Sequence, residues 1–257
     1  MPVILITGNG SVGLAREALR QGASDFITKP CNQGELPIVV ERNLTRQVVA
    51  RKNALRHKMA LHISNEGVLD ALLSALNTRD TETEGHSERV TAYTIELADK
   101  MGLSEEEIYH IERGALLHDI GKIGIPDRIL LKPDKLTPEE WVEMKKHPVI
   151  GYNMCSEIEM LKKSAQIVLH HHESWNGKGY PSGLSAQEIP LGARIFAIAD
   201  TLDAMTSDRP YRKGLPFLAA REEIYKYRGI QFDPEMVDIF LSVSDERWQY
   251  ILSLVYR

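Results

Sequence analysis

The sequence has little of several features that would define a class of protein. Its 257 residues include two cysteines, Cys31 and Cys155, which are far apart and outside any CxxC pattern, so we expect neither disulfides nor a cysteine metal site. No apolar run approaches the ~20 residues of a membrane-spanning helix, and the apolar start is too short for a secretory signal. We therefore expect a cytoplasmic protein without a membrane partner.

The charge balance also excludes a class of partner. A net charge of −5 argues against DNA or RNA polymers, which select strongly basic surfaces. Hydrophobic residues make up 43% and charged residues 26%, which is typical of a globular protein and excludes extended disorder. What the chain does contain is nine histidines, and they are its most informative residues.

The first 48 residues follow a strand, helix, strand order, judged by run length and glycine positions. Two strands are too few for a stable parallel sheet. The segment resembles the last part of a response-regulator receiver domain, with Thr7 at one strand tip and Lys29-Pro30 after the next. That family's phosphate-accepting aspartate lies on an earlier strand, and no aspartate precedes Asp25, so we expect a receiver remnant without aspartyl phosphorylation.

The basic residues of segment 49–65 predict a linker helix, which lies within a helical stretch that begins near Glu35. Apolar residues near a 3.5-residue spacing suit a two-helix contact, so a homodimer through this helix is one interpretation. A solvated connecting helix is the plainer alternative. The stripe consists of Leu44, Val48, Leu55, Met59 and Ile63.

Residues 66–257 predict an all-helical domain, so the fold class is mainly α with a small N-terminal α/β remnant. Ser104 followed by three glutamates is a helix N-cap, and Thr137-Pro138 begins a capping box. Asp233-Pro234 repeats this start signal. We expect Gly121 and Gly124 to end the helix that carries His118 and Asp119.

Histidines and aspartates recur in or beside the predicted helices of this domain. A lone His-Asp pair is more often structural than metal-binding, but a helical bundle allows imidazoles and carboxylates from several helices to converge. Such ligands suit iron, manganese, zinc or nickel. The candidates are His86, His118, Asp119, His147, His171, His172 and Asp200.

Two further positions have open interpretations. Glu82 lies four residues before His86, so the two could share a metal on one helix, although on spacing alone a solvated acid near a helix start is the better explanation of Glu82. His171 and His172 would point about 100° apart on a helix, so both reach one metal cluster only across their shared edge. We expect His170 to face solvent or to lie behind the cluster.

Five segments of the chain together carry a resemblance to a known family. GHSERV, HDIGKIGIPD, the His147-Pro148 pair with Gly151, HHESWNGKGYP and ADTLDAMTSDRPYR follow the order and spacing of the HD-GYP family. Its members are cyclic-dinucleotide phosphodiesterases within the HD metallohydrolases. The resemblance covers residues from about 66 to the early 220s.

The resemblance implies a ligand set and a substrate site. The seven histidines and aspartates named above would bind metal, with Asp119 bridging two ions. Glu82 would help to bind a third ion. Two or three divalent ions, iron or manganese with zinc or nickel as alternatives, would be the cofactors. Substrate contacts would come from Lys122, Gly179, Tyr180, Asp203, Arg209 and Arg212.

The chemistry follows from the residue types. Two metal ions about 3.5 to 4 Å apart would generate bound hydroxide for attack on phosphorus and neutralise phosphate oxygens. Lys122 and Arg209 would add positive charge where the transition state is most anionic, which makes Lys122 catalytic alongside Asp119. Trp175 or Tyr180, in or beside a glycine-rich loop, could stack on guanine, although Trp175 fits a core position equally well.

The family resemblance implies hydrolysis of cyclic di-GMP to pGpG, with GMP as a further product left open. One alternative keeps the metal centre but takes cyclic GMP-AMP as substrate. Another is a cyclic-dinucleotide sensor or adaptor with weak turnover that passes its signal to a partner protein, which the complete ligand set disfavours. A further alternative, a regulator controlled by phosphorylation, is disfavoured because the receiver segment is incomplete.

Overall fold

The structure, a computed structural model, describes residues 2–8, 12–31, 34–79, 85–208 and 213–255. It is mainly α, as predicted, with two short strands near the N-terminus. The chain divides into two units, the first ending at Gly67 and the second beginning at Val68. Among the described residues, no helix combines the length and the apolar character needed to cross a membrane.

The first unit contains a parallel pair of strands. Strand β1 (Ile4–Thr7) pairs with β2 (Asp25–Thr28), and helix α1 (Val12–Arg20) connects them, which is the predicted order. Leu5 is 39% and Ile6 44% exposed, because two strands cannot cover both faces of a sheet. The Asp25 carboxylate accepts hydrogen bonds from Asn43 and Arg42, and these bonds lower its pKa.

The predicted linker lies within one long helix. Helix α2 runs from Glu35 to Asn77, so it contains residues 49–65 and continues past them. Leu44 and Val48 of the apolar stripe are 49% and 66% exposed. The side chains of its other three members lie outside the described residues, and dimerisation through this helix stays a prediction.

The second unit is built from helices in its described part. They are α3 (His86–Lys100), α4 (Glu105–Leu116), α5 (Asp127–Leu130), α6 (Pro138–Met144), α7 (His147–Ser156), α8 (Ala165–His170), α9 (Leu191–Thr206), α10 (Phe217–Lys226), α11 (Pro234–Ser242) and α12 (Asp245–Val255). Short 3-10 helices occupy Ile120–Gly124, Glu159–Leu161 and Ala186–Glu188.

The core of the second unit lies where α3 packs against α4, α9 and α12. The α9 residues Ile195, Ile198 and Leu202 are fully buried, as their three- and four-residue spacing predicts. Tyr93 of α3 meets Trp248 of α12 edge to face, with ring centres 5.5 Å apart. Each fully buried apolar side chain contributes about 1.5–3 kcal/mol, so this cluster holds the helices that carry the predicted ligands.

Three helix starts agree with the sequence. Ser104 and Thr137 each form a capping box with the glutamate three residues later, and Asp233 caps α11 ahead of Pro234. An N-cap of this kind is worth about 1 kcal/mol. These caps fix where α4, α6 and α11 begin.

The predicted role of Gly121 and Gly124 as helix terminators is wrong. Helix α4 already ends at Leu116, and both glycines lie in the 3-10 helix that follows. A Cβ atom on Gly121 would lie 1.9 Å from the backbone oxygen of His147. Glycine is needed there for close approach to α7, and this approach brings Asp119 near His147.

Candidate functional site

The seven predicted ligands come from five parts of the second unit. His86 is the first residue of α3 and His147 the first of α7, while Asp200 lies on α9. The remaining residues follow helix ends. They are His118 and Asp119 after α4, and His171 and His172 after α8.

Asp119 lies at the centre of these residues and is buried. Its Oδ2 is 3.0 Å from Nε2 of His118, whereas its Oδ1 is 3.1 Å from Nε2 of His147 and 3.9 Å from Nε2 of His171. The two carboxylate oxygens therefore face different histidines. This is the arrangement of a carboxylate that can bridge two cations.

Four side chains form the tightest group. One ligand atom from each of Asp119, His147, His171 and His172 lies within 4.8 Å of the others. Helix α8 ends at His170, so His171 and His172 leave the helix and their ring centres come within 4.0 Å. The turn, rather than a shared helix edge, directs both rings to the cluster.

His86 and Asp200 close the other side of the group. Nε2 of His86 is 3.5 Å from Oδ1 of Asp200, and the rings of His86 and His118 are 5.6 Å apart. The Asp200 side chain is 34% exposed, whereas His86 is buried. All seven predicted ligands are thus neighbours around one partly open centre.

The protonation pattern of the histidines suits metal ions. In three of them Nδ1 lies within hydrogen-bond distance of a backbone carbonyl, which can only accept, so Nδ1 carries the proton and Nε2 keeps its lone pair. The pairs are His118 with Ala115 at 2.7 Å, His147 with Met144 at 2.9 Å, and His171 with Val168 at 2.8 Å.

Two of these lone pairs oppose each other. Nε2 of His147 and Nε2 of His171 are 3.2 Å apart, and with both Nδ1 atoms protonated neither Nε2 can donate. Lone pairs at this distance repel unless a cation lies nearby. The donor set therefore fits divalent metal ions, with imidazole and carboxylate ligands of the kind that iron, manganese, zinc and nickel accept.

The pKa directions give the same donor set. Burial lowers the pKa of His171, and it lowers that of His172 to about 3. Burial alone would raise the pKa of Asp119, but His118 and Lys122 outweigh it and hold the pKa well below its usual range. At neutral pH both imidazoles are neutral and the carboxylate is ionised.

Asp203 does not lie where the sequence predicts. Its side chain is 1% exposed, and Oδ2 accepts a hydrogen bond from Nδ1 of His86 at 2.7 Å. Its Oδ1 accepts bonds from Nε of Arg89 at 2.6 Å and from the Ser207 hydroxyl at 2.9 Å. The predicted substrate contact is wrong, because Asp203 is buried behind His86 and orients that imidazole.

Three predicted substrate residues lie at the centre's edge. Nζ of Lys122 is 2.7 Å from Oδ2 of Asp119. The ring of Tyr180 stacks on His172, with centres 4.7 Å apart and planes 29° apart. A Cβ on Gly179 would lie 2.4 Å from the backbone nitrogen of Ser174, so the chain at Gly179 passes too close for a side chain.

Glu173 is a contributor that the sequence analysis missed. It is buried, and its carboxylate accepts the backbone N–H groups of Ser182 at 2.8 Å and Leu184 at 3.1 Å. These bonds hold both ends of the loop that carries Gly179 and Tyr180. A glutamate directly after two candidate ligands was the only signal, and it reads equally well as a surface acid.

Three predicted site residues, Glu82, Arg209 and Arg212, lie outside the described residues, and α3 is described only from His86 onward. His170 is 8% exposed, so it does not face solvent. Its Nδ1 is 3.6 Å from the Glu173 carboxylate, which places it behind the cluster.

Comparisons with known proteins identify the family of this chain. The HD domain family matches residues 70–236. A cyclic di-GMP phosphodiesterase of Thermotoga maritima is 39% identical across 95% of this chain and 72% of its own length. The cyclic di-GMP phosphodiesterase response regulator RpfG of Xanthomonas campestris is 40% identical across 94% of this chain and 67% of its own.

A solved structure shares the fold. The cyclic GMP-AMP specific phosphodiesterase V-cGAP3 of Vibrio cholerae superposes with a TM-score of 0.52 at 20% identity, covering 72% of this chain and 52% of that one. The family match spans more than half of the chain, and two relatives exceed 30% identity over most of their length. The chain therefore belongs to the HD domain family and is homologous to cyclic di-GMP phosphodiesterases.

Proposed function

We propose that this chain is a metal-dependent phosphodiesterase that hydrolyses cyclic di-GMP to the linear dinucleotide pGpG. The observation that carries the proposal is the set of three histidines whose Nδ1 atoms are held by backbone carbonyls while their Nε2 atoms face Asp119. The Nε2 lone pairs and the Asp119 carboxylate are all electron-pair donors, and cations are the partners that such a group binds. The choice of cyclic di-GMP as the substrate is supported by the relatives that are named as cyclic di-GMP phosphodiesterases.

The reaction adds one water across a phosphodiester bond. The phosphorus gains the water oxygen, its bond to the 3′-oxygen breaks, and that oxygen leaves with a proton. Divalent cations supply activation of water and neutralisation of phosphate oxygens. Lys122 brings a fixed positive charge to the same place, and the Tyr180 ring stacks on His172 beside it.

Two cations are the number that Asp119 supports, because its two oxygens face different histidines. We propose iron or manganese, with zinc or nickel as alternatives, since imidazole and carboxylate ligands accept all four. A third ion would bind through Glu82. That part of the proposal rests on the sequence resemblance.

Two alternatives give different results in the same assay. A sensor would bind cyclic di-GMP and release no product, while an enzyme for cyclic GMP-AMP would prefer the mixed dinucleotide. A complete set of seven ligands around one centre disfavours the sensor. Comparison of the two cyclic dinucleotides as substrates decides the second case.

The test uses protein purified without oxygen, loaded with Fe(II) or Mn(II), and analysed by chromatography for pGpG and GMP. We expect product from the wild type and none from Asp119→Asn. The matched control is Asp70→Asn, the same change at an exposed aspartate on α2. Equal activity in both variants, or binding without product in the wild type, would contradict the proposal.

We also propose the domain boundaries of the sequence analysis, with residues 1–48 as the last part of a receiver domain, 49–65 as linker and 66–257 as the catalytic domain. The match to a response regulator over 94% of this chain supports the receiver assignment. A fragment that begins at residue 66 should keep its phosphodiesterase activity. Loss of folding in that fragment would contradict the boundary.

A further inference from the structure

Two pockets of the second unit meet at the stacked rings of His172 and Tyr180. The first, which we call the Trp141 pocket, has a volume of about 320 Å³ and an apolar wall of Leu136, Trp141 and Met144. The second, the Gln231 pocket, has a volume of about 400 Å³ and a polar wall that includes Asn176 and Gln231. His172, Tyr180 and Asp200 line both pockets, whereas His86, His118, Asp119 and His147 line the Trp141 pocket only. The candidate metal centre therefore lies in the Trp141 pocket, on the side that adjoins the Gln231 pocket.

Trp141 is exposed for a tryptophan. It is 47% exposed on α6, a seven-residue helix with no buried residue, so it contributes little to the core. The Thr137 capping box and the backbone bond from Trp141 to the Thr137 carbonyl fix the helix that presents it. An indole held beside a phosphate-binding centre offers a flat surface on which any nucleobase can stack.

The Gln231 pocket offers hydrogen bonds and positive charge. The loop bearing Asn176 is tied to the 230–231 segment by two backbone bonds, from Trp175 to the Gln231 carbonyl and from Asn176 to the Ile230 carbonyl. These bonds use main-chain groups only. The exposed side-chain amide of Gln231 stays available to a ligand, and Nζ of Lys145 lies 5.0 Å from the Tyr180 ring centre in the same pocket.

The shape of a cyclic dinucleotide matches this division. Two phosphates and two sugars form one ring, and the bases extend from opposite sides of it. With one phosphate at the candidate metal centre, a molecule of this shape can direct one nucleotide half into each pocket. Each pocket alone is near the lower end of the roughly 300–1,000 Å³ range of ligand sites, so neither would hold the whole molecule comfortably.

We propose that the two pockets are the seats of the two nucleotide halves, with Trp141 stacking on the base of one half and Gln231 hydrogen-bonding the base edge of the other. This inference rests on the proposed phosphodiesterase function and adds the residues that recognise the bases. Stacking tolerates any base, because every base has a flat π-face. Edge contacts distinguish bases, because guanine and adenine differ in their donors and acceptors. Gln231 is thus the specificity-determining residue of the pair.

The first test measures kcat and KM of metal-loaded wild type, Trp141→Ala and Trp141→Phe with cyclic di-GMP, cyclic GMP-AMP and cyclic di-AMP. We expect Trp141→Ala to raise KM about tenfold or more for every substrate that the wild type cleaves, because a stacked base is lost. Trp141→Phe should restore most of the affinity. The matched control is Val142→Ala, a 62% exposed neighbour on the same helix, which should leave KM unchanged.

The second test applies the same assay to Gln231→Ala. We expect KM for cyclic di-GMP to rise about three- to tenfold, as for one lost hydrogen bond, with a smaller change for cyclic di-AMP. Glu222→Ala, at an exposed position of α10, is the control. An equal change for guanine and adenine substrates would overturn the role of Gln231 in base recognition.

Tryptophan fluorescence separates this inference from the proposed function. Cyclic di-GMP should quench the fluorescence of the wild type and of Val142→Ala, and quench Trp141→Phe much less. Quenching without hydrolysis would contradict the proposed phosphodiesterase activity but would still support binding of the nucleotide halves in the two pockets. A wild-type KM in Trp141→Ala, together with unchanged quenching in Trp141→Phe, would overturn the role of the two pockets and leave the phosphodiesterase activity supported.

Discussion

At the scale of single residues, the buried pair of Arg89 and Asp203 controls the orientation of His86. Burial would raise the pKa of Asp203, but hydrogen bonds from His86 and Arg89 outweigh it, and the net pKa is lowered. The carboxylate is therefore ionised and holds the Nδ1 proton of His86. This is the outer carboxylate that commonly fixes the tautomer of a metal-binding histidine.

Replacing Asp203 by asparagine should weaken metal binding without touching a ligand. We expect metal affinity to fall roughly 10- to 100-fold, and the free energy of unfolding to fall by about 3 kcal/mol or more because Arg89 loses its buried partner. Metal content after dialysis and urea denaturation measure the two effects. Asp238→Asn, which breaks the exposed pair with Arg228, is the control and should change neither. Normal metal content in the Asp203 variant would contradict the orienting role.

The grouping of the seven histidines and aspartates could be predicted from the sequence, because their motifs lie within short segments. Arg89 and Trp141 could not. Arg89 meets Asp203 across 114 positions of chain, and only the packing of α3 on α9 brings them together. No motif in the sequence marks Trp141, and only its exposure on α6 shows that it is open to the pocket.

At the scale of elements, the site depends on the loop between Glu173 and Ser185. Glu173→Gln should disturb this loop, because its amide NH₂ would face a backbone N–H where a carboxylate oxygen now accepts. We expect kcat/KM for cyclic di-GMP to fall about tenfold, mainly through KM, with metal content unchanged. Steady-state kinetics and metal analysis check this.

Glu188→Gln provides the control, since Glu188 makes an exposed capping box at Ser185 and should tolerate the change. A Glu173 variant with unchanged KM would show that the loop does not need these bonds. Helix caps could be predicted from the sequence, because capping is local. The role of Gly121 could not be predicted, because glycine is required there by the close approach of α7, a distant segment, and not by the end of α4.

At the scale of the whole molecule, the buried imidazoles make the stability of the metal-free protein depend on pH. The pKa values of His171 and His172 are lowered, the latter to about 3, against about 6.5 in an unfolded chain. Below pH 6.5 the unfolded chain binds more protons, so the free energy of unfolding falls as pH falls. Asp119 and Asp203, whose pKa values are lowered, add stability that is lost at still lower pH, below about 4.

Denaturation of the chelator-treated protein between pH 7 and 5 should therefore show a loss of up to about 1.4 kcal/mol per pH unit for each buried histidine. His172→Asn should lower the slope of the free energy of unfolding against pH by the contribution of one histidine. A stability that stays flat from pH 7 to 5 would contradict buried neutral imidazoles. The sequence could not predict this behaviour, because burial of a histidine is decided by tertiary packing.

The overall helical class and the HD domain were predictable, because helical periodicity and five spaced motifs extend along the chain. The function of the first 48 residues was not, because two strands do not make a complete sheet and their partners in a receiver would be other strands. The predicted cytoplasmic location and the dimer stay predictions.

The rate of cyclic di-GMP hydrolysis before and after metal removal tests whether the seven histidines and aspartates hold catalytic metal ions. A chelator should abolish the formation of pGpG, and added Mn(II) or Fe(II) should restore it. Full activity in protein shown by elemental analysis to contain no metal would contradict a metal-dependent reaction at these residues.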